Sequence, residues 1–198
     1  MQQKPARVRI VDAAHELMRT AGLARTTTKE IAKAAGCSEA ALYKYFPSKE
    51  DLFVTVLSER LPKLAPLLNT LVESPGGHSV EENLVTIARQ AALFYAESFP
   101  IAASLYAEPR LKQRHDDAMR AIGAGPHMPI RRLDAYLRAE QQAGRLTPEA
   151  DTYAAASLLL GACAQRAFAY EMSEGGVPPQ PLDEFAAGIA RTLLTGIA

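Results

Sequence analysis

The chain has 198 residues, of which 48% are hydrophobic and 22% charged, so it can bury a substantial core and lacks the composition of a disordered protein. Its 22 basic and 22 acidic side chains cancel, which argues against a protein coated with nucleic acid. The charges are unevenly distributed, however: residues 1–49 carry nine Lys or Arg against four Asp or Glu, and the remainder is acidic. This asymmetry indicates that only the N-terminal part meets a polyanion.

The cysteines and the longest apolar run indicate where in the cell the protein is expected to be. Cys37 and Cys163 show no metal-ligand spacing, and no apolar leader follows the basic N-terminus. The run from 153 to 164 is too short to span a bilayer and is interpreted as a buried helix. We therefore expect a cytoplasmic protein with reduced thiols and no membrane segment.

Helical periodicity dominates, and no segment alternates convincingly as a strand would. The first helix is predicted over about residues 5–21. Thr27 followed by Glu30 predicts a capping box at the start of a second, short helix. Ser38 and Ser48 are predicted to cap a third and a fourth helix. These caps define a compact N-terminal helical cluster.

Longer helices are predicted in the remainder of the chain. Pro62 and Pro66 are expected to kink or end the fourth helix, and residues 74–77 to form a loop. Further helices are predicted over 79–98, 101–122 with a break at Pro109, 127–143, 149–172 and 181–197. The sequence thus predicts an all-α fold, with a helix-turn-helix domain of three helices over residues 1–60 and a larger helical domain over 61–198.

The stretch from Thr27 to Leu52, TTKEIAKAAGCSEAALYKYFPSKEDL, has the pattern of a helix-turn-helix. Ala32 is small where two helices would cross closely, and Gly36 suits the left-handed backbone of the turn. Apolar positions predicted to face inward are Ile31, Ala35, Leu42 and Phe46. Ser38, Glu39, Ala40, Tyr43 and Lys44 are left facing outward. Short side chains at the start of the third helix would let it enter a major groove.

This stretch resembles the DNA-binding domain of the TetR family, whose pattern is T-x-x-x-I-A-x-x-A-G-V-S-x-G-x-L-Y-x-H-F-x-S-K-E-x-L. The match covers residues 27–52, and the C-terminal two-thirds resembles the family only in helix number and length and in the A-G-R-L turn at 143–146. Cys37, Tyr45 and Ala40 stand where Val, His and Gly are common. The resemblance implies a regulator, expected to be a repressor, that binds a palindromic operator in double-stranded DNA as a homodimer and is released by a small molecule.

The resemblance also implies roles for individual residues. The implied DNA contacts are Thr28 and Lys29 at a phosphate or base edge, Ser38, Glu39, Ala40 and Ala41 in the major groove, and Tyr43, Tyr45 and Lys49 at phosphates. Glu39 departs from simple charge complementarity, since an acid repels phosphate unless it accepts a hydrogen bond from a cytosine amino group. Each residue also has an ordinary alternative: Tyr43 as a packing residue, Lys49 as a solvated lysine, and Thr28 and Ser38 as helix caps.

In the family, the C-terminal helices form the dimer contact and enclose a ligand pocket. The expected dimer residues are the small residues Ala154, Ser157, Gly161 and Ala164 and the apolar stripe Phe185, Ile189, Leu193 and Ile197, although burial inside one monomer would give the same pattern. Pocket candidates, each of which could instead belong to the core or the surface, are Phe94, Tyr95, Phe99, Tyr106, His115, Met119, Met128, Cys163 and Phe168. Such a lining suits a neutral or weakly polar, partly hydrophobic effector.

Features typical of an enzyme are missing from the sequence. There is no glycine-rich phosphate loop, no serine in a nucleophile elbow, and no metal spacing among the four histidines. We therefore expect no catalytic residues, no cofactor and no metal. The alternative from a different class is a cytosolic all-helical small-molecule carrier, or an enzyme, whose helix-turn-helix is vestigial. The basic excess in residues 1–49 and the intact motif argue against that alternative.

Overall fold

A computed structural model describes residues 4–22, 25–60, 64–75, 77–121, 123, 125–171 and 176–196. Within these ranges all regular structure is helical, so the predicted all-α fold is confirmed. The helices are α1 (Ala6–Ala21), α2 (Thr28–Ala34), α3 (Glu39–Tyr45), α4 (Lys49–Arg60), α5 (Leu64–Glu73), α6 (Val80–Ala107), α7 (Pro109–Ala121), α8 (Met128–Gln142), α9 (Thr152–Arg166) and α10 (Leu182–Thr195). A π-helical segment, Ala167–Glu171, continues α9.

The chain forms two compact units that are not successive in sequence. Residues 1–61 and 97–124 form the first, and residues 62–96 and 125–198 form the second. The helix α6 therefore contributes residues to both units. The division into functional domains at residue 60 stays a prediction, because residues 97–124 pack with the first unit.

The predicted caps of the short helices are confirmed. The Thr27 hydroxyl accepts a hydrogen bond from the Glu30 backbone N–H, and the Glu30 carboxylate accepts from the Thr27 backbone N–H at 2.9 Å, which completes the capping box. Ser38 Oγ accepts from the backbone N–H of Ala41 at 3.1 Å. Ser48 Oγ accepts from the Asp51 backbone N–H at 3.1 Å. These bonds satisfy backbone donors that have no partner inside the helix.

The core of the first unit joins α1 to the helix-turn-helix. Its fully buried members include Ile10, Val11, Ala14, Met18, Ile31, Leu42, Leu52, Phe53 and Val56, with Phe46 and Leu111 of α7 almost fully buried. The inward positions predicted from the sequence are thus confirmed. Gly36 has a φ of +66°, a backbone conformation that other residues seldom adopt, and it makes the turn between α2 and α3.

Two features of the middle of the chain were not predicted correctly. Helix α5 was missed, because Pro66 was interpreted as a helix breaker. Pro66 lies in the first turn of α5, where the backbone N–H that proline lacks would have no acceptor within the helix. A break near Pro100 was also wrong, since α6 runs through it for 28 residues. A proline removes one hydrogen bond and crowds one carbonyl, which a long, packed helix tolerates. The break before Pro109 is confirmed.

The core of the second unit is formed by α5, α6, α8, α9 and α10. Its fully buried members include Leu68, Leu84, Ile87, Leu133, Tyr136, Ala156, Leu159, Cys163, Ala186 and Ala190. Polar groups also lie within this apolar environment. The Tyr136 hydroxyl accepts a hydrogen bond from Asn83 Nδ2 at 2.8 Å. The Glu140 carboxylate is fully buried and pairs with Arg145 in the turn after α8.

We expect Arg145→Ala to destabilise the fold by about 3–5 kcal/mol, because it leaves the buried Glu140 carboxylate without its cation. The matched control is Arg138→Ala, which removes an arginine 61% exposed from a pair with Asp134 and should destabilise the fold much less. Urea unfolding followed by circular dichroism measures both. Equal losses for the two variants would contradict a structural role for the buried pair.

Candidate nucleic-acid interface

The outward face of α3 is exposed and its inward face is buried. Ser38, Glu39, Ala40, Tyr43, Lys44 and Tyr45 are exposed, Ala41 is half-buried, and Leu42 is inaccessible to solvent. Leu42 and Phe46 hold the helix against the core of the first unit, so the opposite face is free along its whole length. The structure therefore brings the residues predicted to face the major groove onto one surface, where Tyr43 and Tyr45 keep 45% and 47% of their area exposed.

Thr28, at the start of α2, links this face to Glu39 and Tyr43. Thr28 Oγ1 lies 2.5 Å from Glu39 Oε1 and 3.3 Å from the Tyr43 hydroxyl oxygen. The cluster is at the surface rather than in the core, since Glu39 and Tyr43 are exposed. Thr28 thus directly contacts two other side chains that are predicted to contact DNA.

The start of α4 adjoins the start of α2. Hydrogen bonds from the Thr27 backbone N–H and hydroxyl hold the pKa of Glu30 below its ordinary value, and the positive charge of Lys49 adds to this effect. Lys49 is half-buried, and Lys29 on α2 is exposed. Two lysines predicted to meet phosphate therefore come from the first turns of two helices in the same unit.

Arg114 of α7 is a residue that the sequence analysis missed. Its guanidinium donates to Ser48 Oγ at 3.2 Å and lies 3.4 Å from Asp51 Oδ1 and 3.7 Å from Glu50 Oε2. It therefore offsets the negative charge of Glu50 and Asp51, which follow Lys49 at the start of α4. Nothing in the local pattern indicates this contact, because 66 residues separate Arg114 from Ser48.

The basic residues of the N-terminal arm are engaged within the chain. Arg7 makes two hydrogen bonds to the Glu59 carboxylate, at 2.6 and 3.1 Å. Lys4 pairs with Asp12 at 2.9 Å, and Arg9 Nε donates to the Ala35 carbonyl at 3.0 Å. These contacts fix the start of α1 against α2 and α4.

The predicted pocket residues are distributed between the two units. Phe94, Tyr95, Met128, Cys163 and Phe168 belong to the second unit, and Phe99, Tyr106, His115 and Met119 to the first. Tyr106 and Phe168 lie at the surface, 77% and 61% exposed, and Phe99, His115, Met119 and Met128 are half-buried. The assignment of these residues to one pocket stays a prediction.

Phe94, Tyr95 and Cys163 come together in the second unit. The rings of Phe94 and Tyr95 meet edge to face, with centroids 5.3 Å apart. Burial raises the pKa of Tyr95 to about 12, with a further contribution from Cys163, and burial raises the pKa of Cys163 to about 12. Both side chains are therefore neutral at neutral pH and offer hydrogen-bonding groups without charge.

A small cavity of about 60 Å³ lies nearby in the same unit. Its lining is apolar except for one arginine: Ala92, Leu93, Ala96, Arg166, Ala167 and Leu182. The Arg166 guanidinium stacks on the Phe185 ring, 4.9 Å from its centroid. Pockets that hold drug-sized ligands measure about 300–1,000 Å³, so a ligand of that size could enter this cavity only if the lining helices moved apart.

The two sets of predicted dimer residues differ in exposure. On α9, Ala154 and Gly161 are exposed and Ser157 and Ala164 are half-buried. The same helix exposes larger apolar side chains, with Leu158 66% and Tyr153 52% exposed. On α10, the stripe formed by Phe185, Ile189 and Leu193 is half-buried against the core of its own unit, and Ile197 lies outside the described residues. Part of the stripe is thus explained by packing within the monomer.

Among the residues that the structure describes, no helix is long and apolar enough to cross a membrane. No three His, Cys, Asp or Glu side chains among the described residues converge as metal ligands would.

Comparison with known proteins addresses the two parts of the chain separately. Residues 10–56 match the family model described as bacterial regulatory proteins, tetR family. Residues 82–195 match the model described as AefR-like transcriptional repressor, C-terminal domain.

Among curated relatives, the nucleoid occlusion factor SlmA of Haemophilus ducreyi is 37% identical over 78 residues, 39% of this chain and 35% of that protein. The chain thus spans about a third of that relative's length. The transcriptional regulator UidR of Escherichia coli is 27% identical over 163 residues, 80% of this chain and 78% of UidR.

Among solved structures, the regulator FadR of Bacillus subtilis in complex with stearoyl-CoA has a TM-score of 0.68 at 20% identity, covering 96% of this chain and 99% of that one. This likeness shows the shared fold. The two family models together span both parts of the chain, and the C-terminal model alone covers more than half of it. The chain belongs to the TetR family of bacterial regulatory proteins.

Proposed function

We propose that the chain is a ligand-responsive transcriptional regulator that binds DNA through the exposed face of α3. The observation that carries the proposal is that this face is free while Leu42 and Phe46 anchor the helix from behind. A two-turn helix held in this way has the form needed to enter a major groove. In this proposal the regulator is a repressor, its operator is palindromic, and a small molecule releases it.

The proposed DNA contacts divide into positioning and readout. Lys29, Lys49, Tyr43 and Tyr45 donate to phosphates, which fixes the orientation of the protein without reading sequence. Ser38, Glu39, Ala40 and Ala41 face the base edges, and Thr28 adjoins them. The exposure of the tyrosines and of Glu39, and the position of Lys49 beside the start of α2, support this division.

A dimer is proposed because one helix-turn-helix makes few contacts, and two held about one DNA turn apart read a palindrome. The exposed apolar side chains of α9, Leu158 and Tyr153, give that helix a surface suited to a second copy of the chain. Gly161 lies on the same helix, and a Cβ atom placed there meets nothing within 4 Å in the described chain. A glycine within a helix lowers helix stability. A partner subunit that approaches closely at this position would explain why a glycine is present.

The effector is proposed to be small and partly hydrophobic and to bind in the C-terminal domain. The neutral side chains of Tyr95 and Cys163, the Phe94 ring and the apolar cavity beside them support this chemistry. A ligand larger than the cavity would favour an expanded arrangement of the helices. Differential binding of this kind is what lets a ligand shift a conformational equilibrium.

The alternative, a carrier or enzyme with a vestigial helix-turn-helix, would place no demand on the outward face of α3. The observed face keeps Tyr43, Tyr45 and Lys44 exposed, together with the capped starts of α2 and α3. Salt-dependent binding to the DNA that flanks the protein's own gene is the observation that separates the two classes.

We expect wild-type binding to that DNA to weaken steeply with salt, because phosphate contacts release counterions. Lys49→Ala should weaken binding by a similar factor on the operator and on unrelated DNA, and should make the slope of log affinity against log salt shallower by about 0.9. Arg19→Ala, which removes one positive charge from the end of α1, is the matched control and should change the slope less. Gel-shift titrations at several salt concentrations give the slopes. A flat wild-type salt dependence would contradict the proposal.

We expect Gly161→Glu to yield a folded protein that no longer dimerises or binds its operator. Its own chain leaves room for the new side chain, so the cost arises at the subunit contact, from overpacking and an unpaired charge. Gly161→Ala is the control, with a much smaller volume change. Light scattering gives the oligomeric state, and circular dichroism verifies the fold. A fully dimeric Gly161→Glu protein would place the contact elsewhere.

For the effector, stearoyl-CoA is a rational first probe, because it is bound in the similarly folded Bacillus subtilis regulator. We expect it to raise the melting temperature of this protein and to release DNA, while coenzyme A, which lacks the apolar chain, does neither. Thermal-shift and gel-shift titrations with the two compounds test this. A response to coenzyme A alone, or only to other highly charged ligands without an apolar part, would contradict the proposed apolar site.

A further inference from the structure

The Glu39 carboxylate of α3 accepts a hydrogen bond from the Thr28 hydroxyl of α2, and the Tyr43 hydroxyl of α3 contacts that same threonine. A threonine hydroxyl has one proton, and at 2.5 Å from Glu39 Oε1 the Thr28 proton points to the carboxylate, which can only accept. The Tyr43 hydroxyl, 3.3 Å from Thr28 Oγ1, must then donate to Thr28. The result is a directed chain of hydrogen bonds from Tyr43 through Thr28 to Glu39.

This arrangement has a consequence for any DNA placed against α3. The Thr28 proton is committed to Glu39, so Thr28 cannot also donate to a phosphate without releasing the carboxylate. Tyr43 remains able to turn its proton outward, because it is the first donor of the chain. The carboxylate itself is exposed on the face of α3 and repels phosphate.

A base edge rather than the backbone can satisfy this carboxylate. It is an acceptor with free lone pairs, and the major groove offers it a donor in the N4 amino group of cytosine. Adenine also presents an amino donor, at N6, but its N7 acceptor lies beside that donor and opposes the second carboxylate oxygen. Guanine and thymine present only acceptors, which would leave the carboxylate desolvated and opposed by negative potential. Its position is fixed before DNA arrives, which limits the entropy lost on binding.

We propose that Glu39 determines sequence specificity by accepting a hydrogen bond from cytosine N4 in each half-site, and that Thr28 is the positioning residue that aims it. This rests on the proposed function, since it assigns one base preference to the proposed DNA-binding face. Glu39 thereby has two effects on affinity. It strengthens binding to DNA with a cytosine at one position of the half-site, and it weakens binding to DNA without that cytosine.

The test compares wild type with Glu39→Gln by selection of binding sites from random DNA, followed by affinities for the selected operator, for that operator with the cytosine replaced, and for unrelated DNA. We expect wild type to select one invariant cytosine per half-site and Glu39→Gln to lose it. The ratio of operator to cytosine-replaced affinity should fall about 10-fold. Affinity for unrelated DNA should rise about 3-fold, as for removing one charge about 6 Å from a phosphate in water.

Two further variants distinguish base recognition by Glu39 from a general effect of negative charge, and test whether Thr28 positions the Glu39 carboxylate. Glu16→Gln removes an acid of α1 that pairs with Arg19, and should leave the cytosine preference intact. Thr28→Val, which lacks the hydroxyl, should weaken the preference about 3-fold at unchanged melting temperature, and Thr28→Ser should restore it.

The outcomes are distinguishable. If wild type binds no DNA, the proposed function fails. If wild type binds selectively but Glu39→Gln selects the same bases with the same ratio, Glu39 is an ordinary surface acid and the inference is overturned. A wild-type preference for a base other than cytosine opposite Glu39 would overturn it equally.

Discussion

The DNA-binding proposal depends on the burial of Leu42 and Phe46. Helix α3 has only seven residues, too few to be stable in water by itself, so its shape is maintained by packing against α2 and α1. Because both anchors lie on one side, the other side is left without a structural task. The free face can therefore carry almost any side chain without loss of the fold, which is what a surface that reads sequence requires.

The acids near this surface are held by hydrogen bonds or ion pairs within the first unit. Glu30 is fixed by the Thr27 capping box beside Lys49, and Arg114 lies against Glu50 and Asp51. The Glu39 carboxylate accepts a hydrogen bond from the Thr28 hydroxyl. A neutral whole chain is thus compatible with binding a polyanion, because residues 1–49 carry a basic excess and Arg114 pairs with Glu50 and Asp51.

Local signals predicted the N-terminal part well. Caps, a turn glycine and apolar spacing are determined by residues within a few positions of one another, so Thr27, Ser38, Gly36 and Leu42 were placed correctly. Helix α5 and the course of α6 through Pro100 were not predicted correctly. A sequence pattern shows the local cost of a proline in a helix, but it does not show the packing of the rest of the helix, which decides whether the helix continues. The contacts of Arg114, and of Thr28 with Glu39, join separate helices and have no signature in the pattern.

The central claim is that the exposed face of α3 meets DNA, and hydrogen–deuterium exchange of the wild-type protein with and without the DNA flanking its own gene tests it most directly. At saturating DNA we predict slower exchange in peptides covering residues 36–46 and the start of α4, where backbone amides would be shielded by the groove and the phosphates. Unchanged exchange in those peptides, with protection confined to α8, α9 and α10, would contradict the account.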